Sequence, residues 1–213
     1  MEKWVRISGI GQAVIWLGQI TGLVITLPLA SGAVYLIGEA GRAQTFLPAT
    51  TIFFLLALPM LLFFKLHKQK NPTYKINLKE EYKNQWNQFK ELISDKNIKL
   101  FLLAFFFFND AILTAANNFP IYLQKVFNVS DNVKAMLMIG ILATSAVGAF
   151  CSGFVADKIG LKKTLMIVLG SWIIILPALG LISNFTLFIV FTVLMGFMYG
   201  STWTVTRATM TAL

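Results

Sequence analysis

The stretch GFVADKIGLKK at residues 153–163 decides the fold of this chain, because it is a short charged segment set between two apolar runs. Two antiparallel membrane helices joined by a few residues need a tight turn and partners for the free backbone groups at their ends. Gly160 can adopt the backbone conformation of such a turn. Asp157 can accept hydrogen bonds from free helix-terminal amides and favours a neighbouring helix N-terminus. The stretch therefore predicts a hairpin between two membrane-spanning helices.

The composition of the chain indicates that its solvent is lipid. Of its 213 residues, 57% are hydrophobic and only 13% are charged, which is too apolar for a soluble fold of this length. A helix needs about 20 residues to cross a bilayer, and six apolar runs are long enough. They cover residues 7–37, 46–66, 98–123, 133–156, 161–182 and 187–206. The sequence thus predicts an all-α membrane protein, a partial helical bundle with six transmembrane helices.

The distribution of basic residues orients these spans. If the N-terminus is cytoplasmic, 15 of the 18 Lys and Arg residues fall on the cytoplasmic side, among them Lys158, Lys162 and Lys163 of the hairpin. The net charge of +9 does not favour a nucleic-acid partner, because the basic residues cluster in short connections between apolar spans. We expect a multi-pass protein of the cell (inner or plasma) membrane with both ends of the chain cytoplasmic.

Cysteine and histidine are too few for several kinds of site. Cys151 is the only thiol and His67 the only imidazole, so the sequence offers neither an intrachain disulfide nor a zinc ligand set. A Ser or Cys hydrolase would lack a base near the membrane interior. We therefore expect no metal, no cofactor and no enzymatic activity.

The hairpin spacing G-x-x-x-D-K-x-G-x-K-K resembles the loop signature that the major facilitator superfamily carries after the second helix of a six-helix half. Two shorter stretches, RISGIG at residues 6–11 and FFFND at residues 106–110, are similar to the vacuole-effluxer branch, the autophagy-type amino-acid permeases and their bacterial relatives. Gln12 and Gln19 depart from that branch. The resemblance implies secondary transport of a small-molecule solute by alternating access and, in that branch, export of amino acids.

The same resemblance implies a division of the chain, because a long basic cytoplasmic loop joins the two halves of such transporters. Here the long loop follows only two spans. Residues 1–66 would be the last two helices of the N-terminal half, residues 67–97 the loop, and residues 98–213 the first four helices of the C-terminal half. The chain would then hold helices five to ten of twelve. Its expected partners are the missing helices of the same transporter, the lipid bilayer and the solute.

The loop itself contains an amphipathic pattern. Apolar and aromatic residues recur at helical spacing at Leu78, Tyr82, Trp86, Phe89 and Ile93. With lysines on its other faces, this pattern favours a helix that lies at the headgroup level of the bilayer. Docking of a soluble partner on the same face is the alternative.

Small residues predict close packing of the first and fourth spans. They stand at helical spacing at Gly11, Gly18 and Gly22 in the first span and at Gly140, Thr144, Gly148 and Ser152 in the fourth. Such stripes let two backbones approach closely, although glycine is also simply frequent in membrane helices.

Antiparallel packing of these spans would bring Arg6 near Asp157 at the cytoplasmic end. We hypothesise that Asp157 stabilises the outward-facing state through this contact, by about 0.3–2 kcal/mol. The alternative is a static helix cap with no switching role. The candidate gate consists of Arg6 and of the hairpin residues Gly153, Asp157, Lys158, Gly160, Lys162 and Lys163.

Asp110 is the one acidic residue well inside a span, and ionisable groups there are costly and usually functional. Helical spacing places Asp110, Thr114 and Asn117 on one face, with Asn109 and Asn118 beside it. This stripe is the candidate substrate or proton pathway. A buried structural hydrogen bond of Asp110 is the alternative.

Two further polar sets can line a cavity. Gln12 and Gln19 lie seven residues apart on one face of the first span, and Gln19 is the stronger candidate because its carboxamide must find a partner at mid-membrane depth. Tyr199, Trp203 and Arg207 share one face of the last span, although aromatic residues near span ends usually anchor the membrane interface.

A function from another class stays open beside secondary transport. The chain could be a membrane scaffold or receptor that moves no solute, or an inactive truncated fragment. Solvent accessibility at Asp110 and Asn117 that switches sides with ligand would indicate a transporter, whereas permanently buried polar groups would indicate a scaffold.

Overall fold

A computed structural model describes residues 2–30, 34, 45–63 and 78–212, and these residues form helices without a strand. Six of the helices, all except α3, are long and apolar enough to cross a membrane, which confirms the predicted fold class. The helices are α1 (Glu2–Ala30), α2 (Phe46–Phe63), α3 (Leu78–Ser94), α4 (Lys96–Phe127), α5 (Asp131–Ile159), α6 (Leu161–Leu181) and α7 (Phe185–Ala212).

The chain divides into two compact units. One unit combines Met1–Val24 with Phe108–Leu213, and the other is Ile25–Phe107. The first unit holds most of α1 and α4 together with α5, α6 and α7. It contains the clusters of buried hydrophobic residues found in the described part of the chain.

The second unit contains α2, which has no buried residue, and α3. Asp95 joins α3 to α4, and its Oδ1 accepts hydrogen bonds from the backbone amides of Asn97 and Ile98 at 2.7 and 3.2 Å. The aromatic side chains of α3, at Tyr82 and Trp86, are exposed, so the predicted amphipathic helix is present. Its place at the bilayer surface stays a prediction.

The connection between α5 and α6 is a single residue, Gly160. Its φ of 90° lies in the region that favours glycine, and its backbone amide donates to the Ala156 carbonyl at 2.9 Å. The Thr164 amide and hydroxyl both donate to the Gly160 carbonyl, at 3.1 and 2.9 Å. The predicted tight hairpin is therefore closed at both helix ends by one glycine.

The closest helix pair is α5 with α7, which run parallel. A Cβ on Gly148 would overlap the Phe197 backbone, and a Cβ on Gly200 would overlap the Ser145 carbonyl. Hydroxyl groups cross the contact, because Ser145 Oγ donates to the Gly196 carbonyl at 2.8 Å and Ser201 Oγ to the Gly148 carbonyl at 3.0 Å. Small residues and cross-helix hydrogen bonds are how membrane helices associate without a hydrophobic driving force.

Aromatic side chains hold α4, α6 and α7 together. The Phe119 and Phe188 rings stack with centroids 5.8 Å apart. The Tyr122 hydroxyl donates to the Leu179 carbonyl at 3.0 Å, and Trp172 Nε1 donates to Thr202 Oγ1 at 2.9 Å. These contacts hold helices α4, α6 and α7 in place relative to one another.

The contact between α1 and α5 is not made by the small residues predicted for it. Thr144 and Gly148 pack against α7, whereas a Cβ at Gly140 would meet no atom within 4 Å. The candidate matching face of α1 is likewise open: a Cβ at Gly11, Gly18 or Gly22 would meet nothing within 4 Å. Both helices carry small residues on more than one face, and spacing alone does not show which face is used.

Some predicted boundaries lie outside the described residues. These are the first span's end at residue 37, the second's at residue 66, the adjoining domain boundary and His67. Helices α4, α5 and α7 extend past the apolar runs; α7, for example, was predicted over residues 187–206 and is observed over Phe185–Ala212. Hydropathy marks only the apolar part of a helix, whereas backbone hydrogen bonding continues into polar residues.

Candidate functional site

The candidate site lies where α1 crosses α5 and α7. Gly9 makes the closest approach: a Cβ there would stand 2.9 Å from the Ala149 carbonyl oxygen and 3.5 Å from Thr204 Cγ2. Ser8 Oγ donates to the Thr204 carbonyl at 3.4 Å. Helix α1 therefore touches both neighbours at this point, and the bare backbone at Gly9 permits the contact.

An ion pair joins α1 to the end of α5. Arg6 Nε donates to Asp157 Oδ2, and the Arg6 guanidinium also lies over the Phe154 ring, 5.2 Å from its centroid. The Asp157 side chain is 5% exposed, while that of Arg6 is 54% exposed. A carboxylate this buried depends on its partner, because an unpaired charge out of water is costly.

The predicted capping role of Asp157 does not appear in the described part of the chain. Helix α6 begins after Gly160 without a side-chain cap. Asp157 Oδ1 is buried and has no hydrogen-bond partner among the described residues. Its other oxygen is used by Arg6, so the carboxylate serves the contact between helices.

The other hairpin residues divide by exposure. Gly153 is buried beside Gly9, with its Cα 3.5 Å from the position of a Gly9 Cβ. Lys158, Lys162 and Lys163 are exposed around the turn. The structure thus gathers Arg6, Gly153 and Asp157 at one contact and leaves the lysines at the surface.

An open, shallow cavity of about 490 Å³ lies along α1 and α7. Arg207 Nη1 donates to Gln12 Oε1 at 3.0 Å across it, and the Gln12 side chain is 6% exposed. Gln19 lines the same cavity but is exposed. The lining residues are Gln12, Ile15, Trp16, Gln19, Tyr199, Trp203 and Arg207.

Three aromatic rings form one wall of this cavity. The Trp16 and Tyr199 centroids are 5.2 Å apart, and the Tyr199 and Trp203 centroids are 6.4 Å apart with the rings edge to face. Trp16 Nε1 is buried without a hydrogen-bond partner in the part of the chain described. Ring packing therefore positions Trp16.

The polar stripe of α4 lies elsewhere. Asp110, Thr114 and Asn117 are exposed, on the helix face opposite the buried Ile112 and Phe119. Its flanking residues differ, since Asn109 is half-buried and Asn118 Nδ2 donates to the Thr114 carbonyl at 2.8 Å. The structure does not bring this stripe to the cavity, and its role in a pathway stays a prediction.

Sequence reasoning missed two residues of the site and ranked a third too low. Gly9 and Trp16 were not candidates, and Gln12 was placed below Gln19, although Gln12 is the buried one with a charged partner. A signal was present, because Gly9, Gln12 and Trp16 follow one another at helical spacing on one face. Helical rotation is about 100° per residue, so Gly11 falls almost opposite Gly9.

No group of three or more His, Cys, Asp or Glu side chains able to hold a metal occurs among the residues described. Cys151 is a free, half-buried thiol on α5. The polar groups that converge in the site are a guanidinium, a carboxamide and indole and phenol rings, which are groups able to bind and orient a small solute.

The chain matches the family model described as Major Facilitator Superfamily over residues 2–213. It belongs to this superfamily, and it is a multi-pass membrane protein of a family whose members are secondary transporters of small solutes and not enzymes. Comparisons with curated proteins and with solved structures gave no match.

Proposed function

We propose that the α1–α5–α7 contact forms part of the solute pathway of a transporter that works by alternating access. One feature supports this above all: α1 meets α5 through the ion pair Arg6–Asp157 and α7 through the hydrogen bond between Arg207 and Gln12. The Asp157 carboxylate and Gln12 are buried, and buried polar groups in a membrane protein are usually found where water, a solute or a moving contact requires them.

The ion pair acts as a gate at one end of the cavity. Arg6 precedes Gln12 by six residues, which corresponds to a rise of about 9 Å along α1. The Arg6–Asp157 contact therefore closes the space between α1 and α5 beyond the cavity, on the side of the α5–α6 turn. The exposed Lys158, Lys162 and Lys163 favour a cytoplasmic position for this turn, so the paired state is the outward-facing one.

The same contact supports a division of the chain into two halves. We propose that α1 and α2 belong to one half of the transporter and α4 to α7 to the other, with α3 in the loop between them. Helix α1 then meets α5 and α7 across the boundary between halves. Rocking of one helix bundle against the other is the usual form of alternating access.

Amino acids are the solutes that we propose to test first, with export as the direction. This choice is supported by the likeness of residues 6–11 and 106–110 to the vacuole-effluxer branch. The exposed α4 stripe, with Asp110 and Asn117, is proposed as a second polar surface of the pathway.

Uptake into liposomes tests the function. The purified protein is reconstituted, and counterflow of radiolabelled amino acids is measured against protein-free liposomes. Accumulation that is lost when the solute gradient collapses is the expected result. Solute binding without movement of any solute would instead favour the scaffold or receptor alternative.

Accessibility of the cavity tests the gate. In a Cys151→Ser background, a cysteine at Ile15, which lines the cavity, is labelled with an impermeant maleimide from each side. Adding Asp157→Asn should raise labelling from the side of the α5–α6 turn, because the closing contact is weakened. Unchanged labelling from that side would reject the gate.

A further inference from the structure

We infer that the cavity beside Arg207 binds a solute that carries one carboxylate and an apolar, preferably aromatic, group. This deepens the proposed function, since it assigns a substrate class to the same pathway. It rests on three properties of the cavity: its charge, its hydrogen bonding and its aromatic wall.

The charge of the cavity is a single uncompensated cation. Its lining holds one charged residue, Arg207, and no carboxylate. The hydrogen bond that Arg207 makes is to the neutral Gln12, and no ion pair to it occurs among the described residues. Arg207 is exposed near the end of α7, so a ligand carboxylate can reach the guanidinium and pair with its charge.

The hydrogen bond to Gln12 leaves the other N–H donors of the Arg207 guanidinium available for a ligand. A guanidinium has five N–H donors in a fixed plane, and Gln12 Oε1 takes up one of them. Carboxylates bind such a fork through two parallel hydrogen bonds. Gln12 is a positioning residue here, because its buried oxygen holds Nη1 and thereby fixes the orientation of the remaining donors.

The aromatic wall accommodates the rest of the ligand. Trp16, Tyr199 and Trp203 present a continuous set of rings next to the guanidinium, and Ile15 adds an aliphatic surface. A volume of about 490 Å³ falls within the range of small-molecule sites. A cationic ligand would meet repulsion from Arg207, and a dianionic phosphate would leave one charge without a partner.

The cavity also continues past Arg207. A second space of about 310 Å³ borders the same side chain and is lined by residues nearer the start of α1, among them Ser8 and Gly11. Arg207 therefore stands between the aromatic cavity and the end closed by Arg6 and Asp157. An anion held at Arg207 is in position to leave by that end when the ion pair opens.

Binding to the unaltered protein is the first test, and it needs no variant. Purified protein in nanodiscs is titrated with 3-phenylpropionate, its neutral amide, phenethylamine, phenyl phosphate and acetate, each in competition with radiolabelled 3-phenylpropionate. We expect the aromatic carboxylate to bind at least about tenfold more tightly than each of the others. Equal binding of the amide or the amine, tighter binding of phenyl phosphate, or no binding of the aromatic carboxylate would overturn the inference.

Variants of Arg207 provide the second test. Arg207→Gln should weaken 3-phenylpropionate binding at least about tenfold, while Arg207→Lys should recover part of it because the charge returns without the planar fork. Lys125→Gln is the matched control, since it removes one exposed positive charge away from the cavity and should leave binding unchanged. Melting temperature and size-exclusion profiles check that each variant folds.

Different results would contradict the binding inference and the transport proposal. Arg207-dependent binding without uptake into liposomes would uphold this inference and contradict the transport proposal. Uptake of solutes that is insensitive to Arg207→Gln and shows no preference for carboxylates would uphold transport and overturn the inference.

Discussion

At the scale of single residues, Asp157 illustrates how burial turns a surface charge pair into a specific contact. Exposed ion pairs contribute about 0–1 kcal/mol to the free energy of unfolding. Here the side chain of Asp157 is only 5% exposed, whereas that of Arg6 is 54% exposed. Loss of Arg6 would leave Asp157 with both oxygens unpaired among the described residues, because Oδ1 already has no partner. The contact therefore favours the packed arrangement of α1 with α5 over an open one.

A double-mutant cycle on Arg6→Gln and Asp157→Asn measures this contact. We expect a coupling energy of about 1 kcal/mol, with the double variant less destabilised than the sum of the single variants. The measurement is thermal unfolding in detergent. The control cycle uses Asp131→Asn and Lys134→Gln, a pair within α5 whose carboxylate side chain is 88% exposed, and should give a coupling near zero. If the destabilisations caused by the two single substitutions simply add in the double variant, Arg6 and Asp157 do not interact.

Gly160 supports a second prediction at this scale. Its φ of 90° and ψ of 151° belong to a region that other residues adopt only at a cost of about 1–3 kcal/mol. Gly160→Ala should therefore lower the melting temperature. Gly170→Ala is the control, because Gly170 lies inside α6 with nothing within 4 Å of a new Cβ, and there alanine should be neutral or stabilising. Equal melting temperatures for the two variants would count against the strained turn.

The sequence predicted the local structure around Asp157 and Gly160 better than it predicted the contacts that line the cavity. Asp157 and Gly160 lie in a short segment between two spans, where few arrangements are possible. Gln12 and Arg207 are separated by almost the whole chain, and their contact depends on which face of α1 meets α7. Helical spacing permits several faces, so that contact cannot be deduced from either residue alone.

At the scale of helices, α5 and α7 are held together by bare backbone and hydroxyl groups. Gly148, Gly196 and Gly200 each sit where an added Cβ would overlap the neighbouring helix. Lipid supplies no hydrophobic force between helices, so this close approach and the hydrogen bonds from Ser145 and Ser201 carry the association.

Alanine substitution tests this packing with a control on the same helix. Gly148→Ala and Gly200→Ala should each destabilise the protein by about 1–3 kcal/mol, because α5 and α7 must move apart. Gly140→Ala should be tolerated, since a Cβ there meets no atom within 4 Å. The readout is melting temperature together with the monodisperse fraction on size exclusion. Equal effects at Gly140 and Gly148 would contradict the assigned contact face.

At the scale of the whole molecule, the start of α1, the α5–α6 turn and the end of α7 lie at one end of their unit. The contacts Arg6–Asp157 and Gln12–Arg207 establish this. Apolar length and basic residues had predicted the number of spans and this common end. Neither feature predicts which helices are neighbours, because hydropathy reflects how a helix interacts with lipid and not how it packs against another helix.

Labelling of single cysteines tests the orientation of the chain. In a Cys151→Ser background, Lys163→Cys and Ser183→Cys place exposed thiols at opposite ends of α6. With a cytoplasmic hairpin, an impermeant maleimide should label Ser183→Cys in intact cells and Lys163→Cys only after permeabilisation. The reverse pattern would invert the topology.

The joint at Gly160 has a mechanical consequence. A linker of one residue has no slack, because Gly160 donates to Ala156 in the last turn of α5 and accepts from Thr164 in the first turn of α6. Helix α6 therefore cannot slide along α5 without breaking one of these bonds. We therefore expect a tilt of the α5 end that releases Arg6 to move the start of α6 by the same amount, so that the two helices move together.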